Sequence, residues 1–188
     1  MGRQPVRQWQ KPLYLMIKPR LPERTAMIRL CAALGIETSY APERWHSTFL
    51  PIGESEPKTI AKVHRVLERL DAEPFQVAFD HIEGDTLKPR KGQRAPGYFQ
   101  RTLAARISRC GIPLPDYAFS LHLNLPYGGA SVRRTTIPLI EWPVDEILLI
   151  ESGNGHLLCA NPDMLNVVPK SRHVLTLGRK GGGHPNDQ

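Results

Sequence analysis

The sequence predicts an α+β fold built from two related strand-helix-strand halves, and three features carry that reading. Short apolar runs alternate with polar residues at the two-residue period of a strand, and amphipathic stripes at helical spacing lie between them. Two of those helices end at the same Gly-Ile pair, Gly35-Ile36 and Gly111-Ile112. A histidine follows eleven residues after each glycine, His46 in one case and His122 in the other. At 188 residues and 40% hydrophobic content the chain is long enough for one domain with an ordinary core.

Residues 1–12, MGRQPVRQWQKP, show no period and read as a basic lead-in to a single domain over 13–177. LYLMIK, 13–18, is a strand. Pro22 to Leu34 places Ala26, Met27, Leu30, Ala33 and Leu34 on one stripe, and Gly35 stands where a left-handed cap residue belongs. HSTFLP, 46–51, alternates as a strand. Ser55 then offers an N-cap, with Pro57 in the first turn and Ile60, Val63, Val66, Leu67 and Leu70 at helical spacing. FQVAFDHI, 75–82, is a strand, KPRKGQRAPG, 88–97, a basic loop, and Tyr98 to Cys110 a helix with Leu103, Ala104 and Ile107 inward. AFSLHLNLP, 118–126, is a further strand, followed by a second polar-rich turn region. DEILLIES, 145–152, and HLLCA, 156–160, form two more strands around an SGNG turn, and HVLTL adds a short one. The glycine-rich segment 178–188 reads as a flexible tail.

The net charge of +7, from 25 basic and 18 acidic residues, favours polyanionic partners. Cys31, Cys110 and Cys159 form no C-x-x-C pair and are odd in number, as expected of reduced thiols in a cytoplasmic protein. LYLMI is too short for a signal-peptide core, and no run approaches the roughly 20 apolar residues of a membrane span. His64, His81, His156, His173 and His184 lack zinc-ligand spacing with the cysteines, so neither metal nor cofactor is expected. No G-x-S-x-G elbow surrounds Ser47, which excludes it as a serine-hydrolase nucleophile.

Within the two strand motifs the histidine shares a face with a polar residue two positions on: His46 with Thr48, and His122 with Asn124. Two matched histidines suit proton transfer at both ends of one displacement, because an imidazole titrating near 6.5 serves as base when neutral and as acid when protonated. A phosphodiester fits this chemistry without a metal. One histidine takes the proton of the attacking oxygen, the other protonates the leaving oxygen, and Thr48 and Asn124 donate to the non-bridging oxygens.

The pair His46-Ser47-Thr48-Phe49 and His122-Leu123-Asn124-Leu125, 76 residues apart in duplicated context, resembles the two H-x-T-x motifs of the 2H phosphoesterase superfamily. The order of elements from about Leu13 to Leu177 is similar to its 2′-5′ RNA ligase and cyclic nucleotide phosphodiesterase branch. The resemblance implies a bilobal fold with antiparallel sheets facing a central groove. It also implies hydrolysis of 2′,3′-cyclic phosphate ends of RNA or nucleotides to 2′-phosphates, in some members with reversible 2′-5′ joining of RNA ends. His46, Thr48 and His122 carry over directly, whereas Asn124 replaces the usual Thr or Ser and Pro126-Tyr127 replace an arginine that the branch often carries.

On this reading His122 is the base for water and His46 the acid for O3′. Tyr127 and Trp45 are placed either to stack on a base or to pack at the groove wall. Arg133 and Arg134 are alternative phosphate contacts. Lys88, Arg90, Lys91 and Arg94 either touch RNA from a mobile loop or form a solvated charged loop. A monomer with no obligate protein partner is expected. An RNA-binding module with the same groove and little catalysis, or a phosphodiesterase of small nucleotides, are the other readings.

Overall fold

The computed structural model of the chain describes residues 11–38, 41–125, 132–152 and 171–177. Its elements in order are β1 (Pro12–Ile17), α1 (Leu21–Leu34), a 3-10 turn (Pro42–Arg44), β2 (Ser47–Glu54), α2 (Pro57–Glu68), β3 (Phe75–Gly84), β4 (Thr86–Pro89), α3 (Ala95–Arg109), β5 (Leu123–Asn124), β6 (Val132–Val144), β7 (Glu146–Glu151) and β8 (Ser171–Thr176). They form two four-stranded sheets, ordered β2-β1-β7-β8 and β5-β4-β3-β6, in which every pairing is antiparallel. The duplication is written into this topology. β1-α1-β2 and β4-α3-β5 are both a strand, a crossover helix and an antiparallel neighbour, and each unit occupies the same end of its sheet.

The helix ends explain the repeated Gly-Ile. Gly35 takes the left-handed conformation at φ 63°, its N–H bonds the Ala32 carbonyl, and the Ile36 N–H bonds the Cys31 carbonyl at 2.8 Å. This Schellman pattern satisfies two orphan carbonyls and drops the next residue inward. Gly111 repeats the left-handed turn at φ 72°. Ile36 and Ile112 are both core residues, 6% and 5% exposed.

Helix α1 buries a narrower stripe than expected: Met27 and Cys31 are buried, Leu30 and Leu34 pack beside them, and Ala26 and Ala33 face solvent. Burial holds the Cys31 thiol above its ordinary pKa, and therefore in its protonated, unreactive form. Helix α2 starts one residue later than the expected cap. Its N-cap is Glu56, and the Ser55 hydroxyl is instead bonded to the Glu151 carboxylate. The lead-in also ends earlier than expected, because Pro12 pairs with Glu54 and the Ser55 N–H donates to the Lys11 carbonyl at 2.7 Å.

Three strand assignments need correction, the first being β4, whose Lys88 and Pro89 fall within the segment expected as a basic loop. The polar-rich turn region beyond the second motif contains β6, a 13-residue strand holding Pro138 and Pro143. Those prolines signal turns in sequence, but β6 is an edge strand, where a residue without N–H is tolerated. Pro138 sits where the register shifts: Ile140 faces Phe79 and Thr136 faces His81, leaving three residues opposite Asp80. Conversely, only Leu123 and Asn124 of the AFSLHLNLP segment pair as a strand, because their partner β4 is four residues long and ends at a proline. The strand expected at 156–160, the SGNG turn beyond Ser152 and the tail at 178–188 lie outside the described residues.

Both sheets share one hydrophobic core. Phe49 is central to it, with ring centroids 6.0, 5.9 and 5.1 Å from Phe75, Phe99 and Phe119. Phe79 stacks on Trp142 at 5.5 Å. Three bonds fasten the halves where β2 and its lead-in meet the second-motif segment. Trp45 Nε1 donates to the Leu125 carbonyl at 2.7 Å, Ser47 Oγ to the His122 carbonyl at 2.6 Å, and the Tyr117 hydroxyl to the Thr48 carbonyl at 3.1 Å. Trp45 is wholly buried, so it is a structural bolt and not the base-stacking surface considered for it. Among the described residues no helix is long and apolar enough to cross a membrane.

Trp45→Phe keeps an aromatic ring but removes the donor, leaving the buried Leu125 carbonyl unsatisfied. Urea unfolding is expected to show a loss of about 1–3 kcal/mol from the orphaned carbonyl alone, and an unchanged midpoint would exclude the bolt.

Candidate active site

The strand period sorts each motif into two functions. Trp45, Ser47 and Phe49 are buried, while His46 and Thr48 between them are half-buried on the opposite face. The second motif repeats the pattern: Leu121, Leu123 and Leu125 are buried, and His122 and Asn124 are half-buried. The inward residues pack in the core that the two sheets share, and the outward ones are presented on the opposite face. Because Ser47 Oγ grips the carbonyl of His122 itself, the backbones carrying the two histidines are in direct contact.

Each imidazole is oriented by the same local device. His46 Nδ1 lies 2.7 Å from the Arg44 carbonyl, and His122 Nδ1 lies 2.7 Å from the Ser120 carbonyl, two residues back in both cases. A carbonyl only accepts, so Nδ1 carries the proton and Nε2 is the atom that gains or loses one. The i−2 carbonyl as orienting group is the symmetric feature that sequence inspection missed.

The environments differ where the local geometry agrees. Burial lowers the His46 pKa below the usual 6.5, and the positive charges of Lys18 and Arg44 and the neighbouring His122 lower it further; the bond to the Arg44 carbonyl acts the other way. His46 is therefore neutral near pH 7. Lys18 follows directly on β1, whose Ile17 pairs with Ser47, and its Nζ donates to the Glu43 carbonyl at 2.8 Å. Lys18 and Arg44 supply positive charge beside His46, a place for which the sequence offered no candidate.

Asn124 pairs across the sheet with Thr86, a residue the sequence reading passed over. Thr86 Oγ1 lies 2.9 Å from Asn124 Oδ1 and 2.9 Å from Asp85 Oδ1. A hydroxyl has one proton, so it serves one acceptor at a time. Given to Asn124, it holds the amide oxygen at Thr86, with Nδ2 as the opposite, donating end. Given to Asp85, it turns the amide the other way and presents an oxygen.

The remaining sequence candidates lie elsewhere. Arg94 is exposed at the N-cap of α3. The expected mobile loop is a short clipped connection: Lys88 and Pro89 belong to β4, Ala95 begins α3, and Gln93 brackets Ala78, accepting from its N–H at 2.8 Å and donating to its carbonyl at 2.6 Å. Arg133 and Arg134 are exposed on β6, three strand positions from β5 and thus roughly 14 Å across the sheet from Asn124. Tyr127 lies outside the described residues.

No protein-family model matches the chain, and no curated protein matches it by sequence. Solved structures do match in fold. A structure described as a phosphoesterase superposes with a TM-score of 0.62 at 18% identity, over 89% of this chain and 99% of that one. E. coli LigT in its apo form gives 0.62 at 18% identity over 88% and 98%, and LigT complexed with 3′-AMP gives 0.63 at 18% identity over the same shares. The chain thus has the LigT-like α+β fold, two antiparallel sheets in two lobes, that the paired motifs imply.

Proposed function

We propose that this chain is a phosphoesterase that opens 2′,3′-cyclic phosphates at the ends of RNA or nucleotides and leaves a 2′-phosphate. The observation that carries this reading is the pair of outward imidazoles, each held through Nδ1 and working through Nε2, on backbones joined by the Ser47–His122 bond. The likeness to LigT, whose solved complexes include 3′-AMP, NADP+, ATP and phosphate, supports a nucleotide phosphate as the occupant.

The division of labour reverses the sequence-based expectation. Burial and surrounding positive charge favour neutral His46, the form a base requires. His46 Nε2 takes a proton from the water that attacks phosphorus. The bond from phosphorus to O3′ breaks as His122 gives its Nε2 proton to O3′, and phosphorus keeps its bond to O2′. Thr48 and Asn124 donate to the non-bridging oxygens, and Lys18 and Arg44 draw the anion toward His46. A 5′-hydroxyl in place of water gives a 2′-5′ linkage by the same proton transfers. Asn124 is the observation that favours the second reading, an RNA-binding module with little turnover.

The test is hydrolysis of a short RNA ending in a 2′,3′-cyclic phosphate, in excess EDTA. His46→Ala and His122→Ala are each expected to lower kcat by about 10²- to 10⁴-fold. Full activity in either variant overturns the two-histidine mechanism, and no turnover by the parent protein leaves the binding module.

The pH profile tests the assignment. If His46 is the base, the acidic limb of kcat/KM lies below 6.5, and His46→Ala removes it. Stability moves with it: below pH 6.5 the unfolded chain binds a proton that folded His46 resists, so the folded state weakens as pH falls through that window. An acidic limb above 6.5 would return the acid role to His46.

Thr86 and Asp85 are expected to act in opposite directions. Thr86→Val removes a donor to the Asn124 amide oxygen and is expected to lower kcat/KM by roughly tenfold, a fraction of the 10²–10³ that losing a whole oxyanion donor costs. Asp85→Ala leaves the Thr86 proton to Asn124 alone and raises it. Changes of the same sign in both variants would exclude the competition for that proton.

A further inference from the structure

The C-terminal halves of α2 and α3 enclose a cleft of about 480 Å³ that the reaction does not use. Lys62, Arg65 and Arg69 line one wall, and Arg106 and Arg109 the other, with no carboxylate among the lining residues. Among the described residues none of these five cations forms a salt bridge. Arg106 Nη1 donates to the Arg69 carbonyl at 3.1 Å, which accounts for that side chain as a cap on the end of α2. Arg65, Arg69 and Arg109 are exposed and keep most or all of their guanidinium donors for a ligand.

Five like charges around one cavity repel each other unless an anion joins them. The array is elongated: Lys62, Arg65 and Arg69 follow one another at i, i+3 and i+7 along α2, a rise of roughly 10 Å. A single phosphate spans one rung of such a ladder, so the ligand that fits carries several phosphates in a row. The cleft is also separate from the histidines. Helix α3 packs through Phe99 on Phe49, which points to the face of β2 opposite to His46 and Thr48.

We propose that the α2–α3 cleft is a second, sequence-tolerant docking site for the phosphodiester backbone of RNA, on the helical side of the protein and away from the catalytic groove. The choice of RNA rests on the reading of the groove as a nucleotide-phosphate site; the cleft's preference for a polyanion does not.

The experiment is fluorescence anisotropy with a labelled 20-nucleotide RNA ending in a 3′-hydroxyl, which the groove has no means to hydrolyse, across a range of salt concentrations. The triple variant Arg65→Gln, Arg69→Gln, Arg109→Gln changes only exposed side chains. It is expected to raise Kd at least tenfold at moderate salt and to reduce the log–log salt slope by about 2, from three lost contacts at about 0.7 each. A control triple of exposed cations outside the cleft, Arg29→Gln, Lys58→Gln, Arg101→Gln, is expected to change Kd by less than threefold.

An equal loss in both triples would overturn the site in favour of diffuse net charge. Unchanged RNA binding in the cleft variant would overturn it outright. Binding of tripolyphosphate or ATP that depends on the three arginines, without such dependence for RNA, would assign the cleft to a small polyanion instead. Hydrolysis of a cyclic mononucleotide, measured on the same proteins, is expected to be unchanged. Its absence in all of them would count against the groove reading while leaving the docking result intact.

Discussion

The hydrogen bond from Ser47 Oγ to the carbonyl of His122 is the constraint on which the site depends. Two lobes joined only by apolar packing can slide by an ångström at modest cost, and a displacement of that size is enough to spoil proton transfer. A buried hydroxyl bonded to a specific carbonyl removes that freedom, since breaking it leaves a polar group unsatisfied in the core. It acts where the two motifs meet, because Ser47 lies between His46 and Thr48 in one motif and holds the backbone carbonyl of His122 in the other. Trp45 and Tyr117 clamp the same seam on either side.

The strand period lets one short segment perform both tasks. Odd-numbered residues 45, 47 and 49 turn inward and hold the halves together, while 46 and 48 turn outward. A one-residue slip of β2 would bury the histidine and expose the tryptophan, so the register of the sheet and the geometry of the site are set by the same packing. Local backbone then fixes each ring through the carbonyl two residues back. Up to this point the two halves are equivalent, and equivalent imidazoles would titrate alike. Tertiary surroundings then act on His46, where burial, with the Lys18 and Arg44 charges, lowers the pKa.

That distinction also explains what was legible in the sequence. The helix C-termini at Gly35 and Gly111, the alternation of both motifs and the duplicated Gly-Ile are local patterns, and each is found where expected. The invisible features are those made by distant segments meeting. Thr86 is an ordinary strand residue until β4 pairs with β5, and Ser47 is an unremarkable hydroxyl until the second half folds against it. The largest omission, β6, has a different cause: Pro138 and Pro143 read as breakers because a sequence does not say which strand will lie at an edge, where a missing N–H is harmless. The charge beside His46 was invisible for the first reason, since nothing in HSTFLP reveals that Lys18 will lie next to it.

The comparison with LigT gives this separation a further consequence. At 18% identity the fold is kept over 88% of the chain, so the apolar face of each strand and the helix ends suffice to specify it. Asn124 lies on the other face. It is half-buried and outward, so replacing a hydroxyl there by an amide leaves the buried leucines on either side untouched. Fold and rate are therefore free to diverge at this position. An amide is longer than a hydroxyl and has an accepting as well as a donating end, so neighbouring groups decide which end faces outward. Thr86 is placed to be one of them, and Asp85 competes for its single proton. The orientation of the Asn124 amide thus involves the β4 residue pairing with it, which the motif alone does not specify.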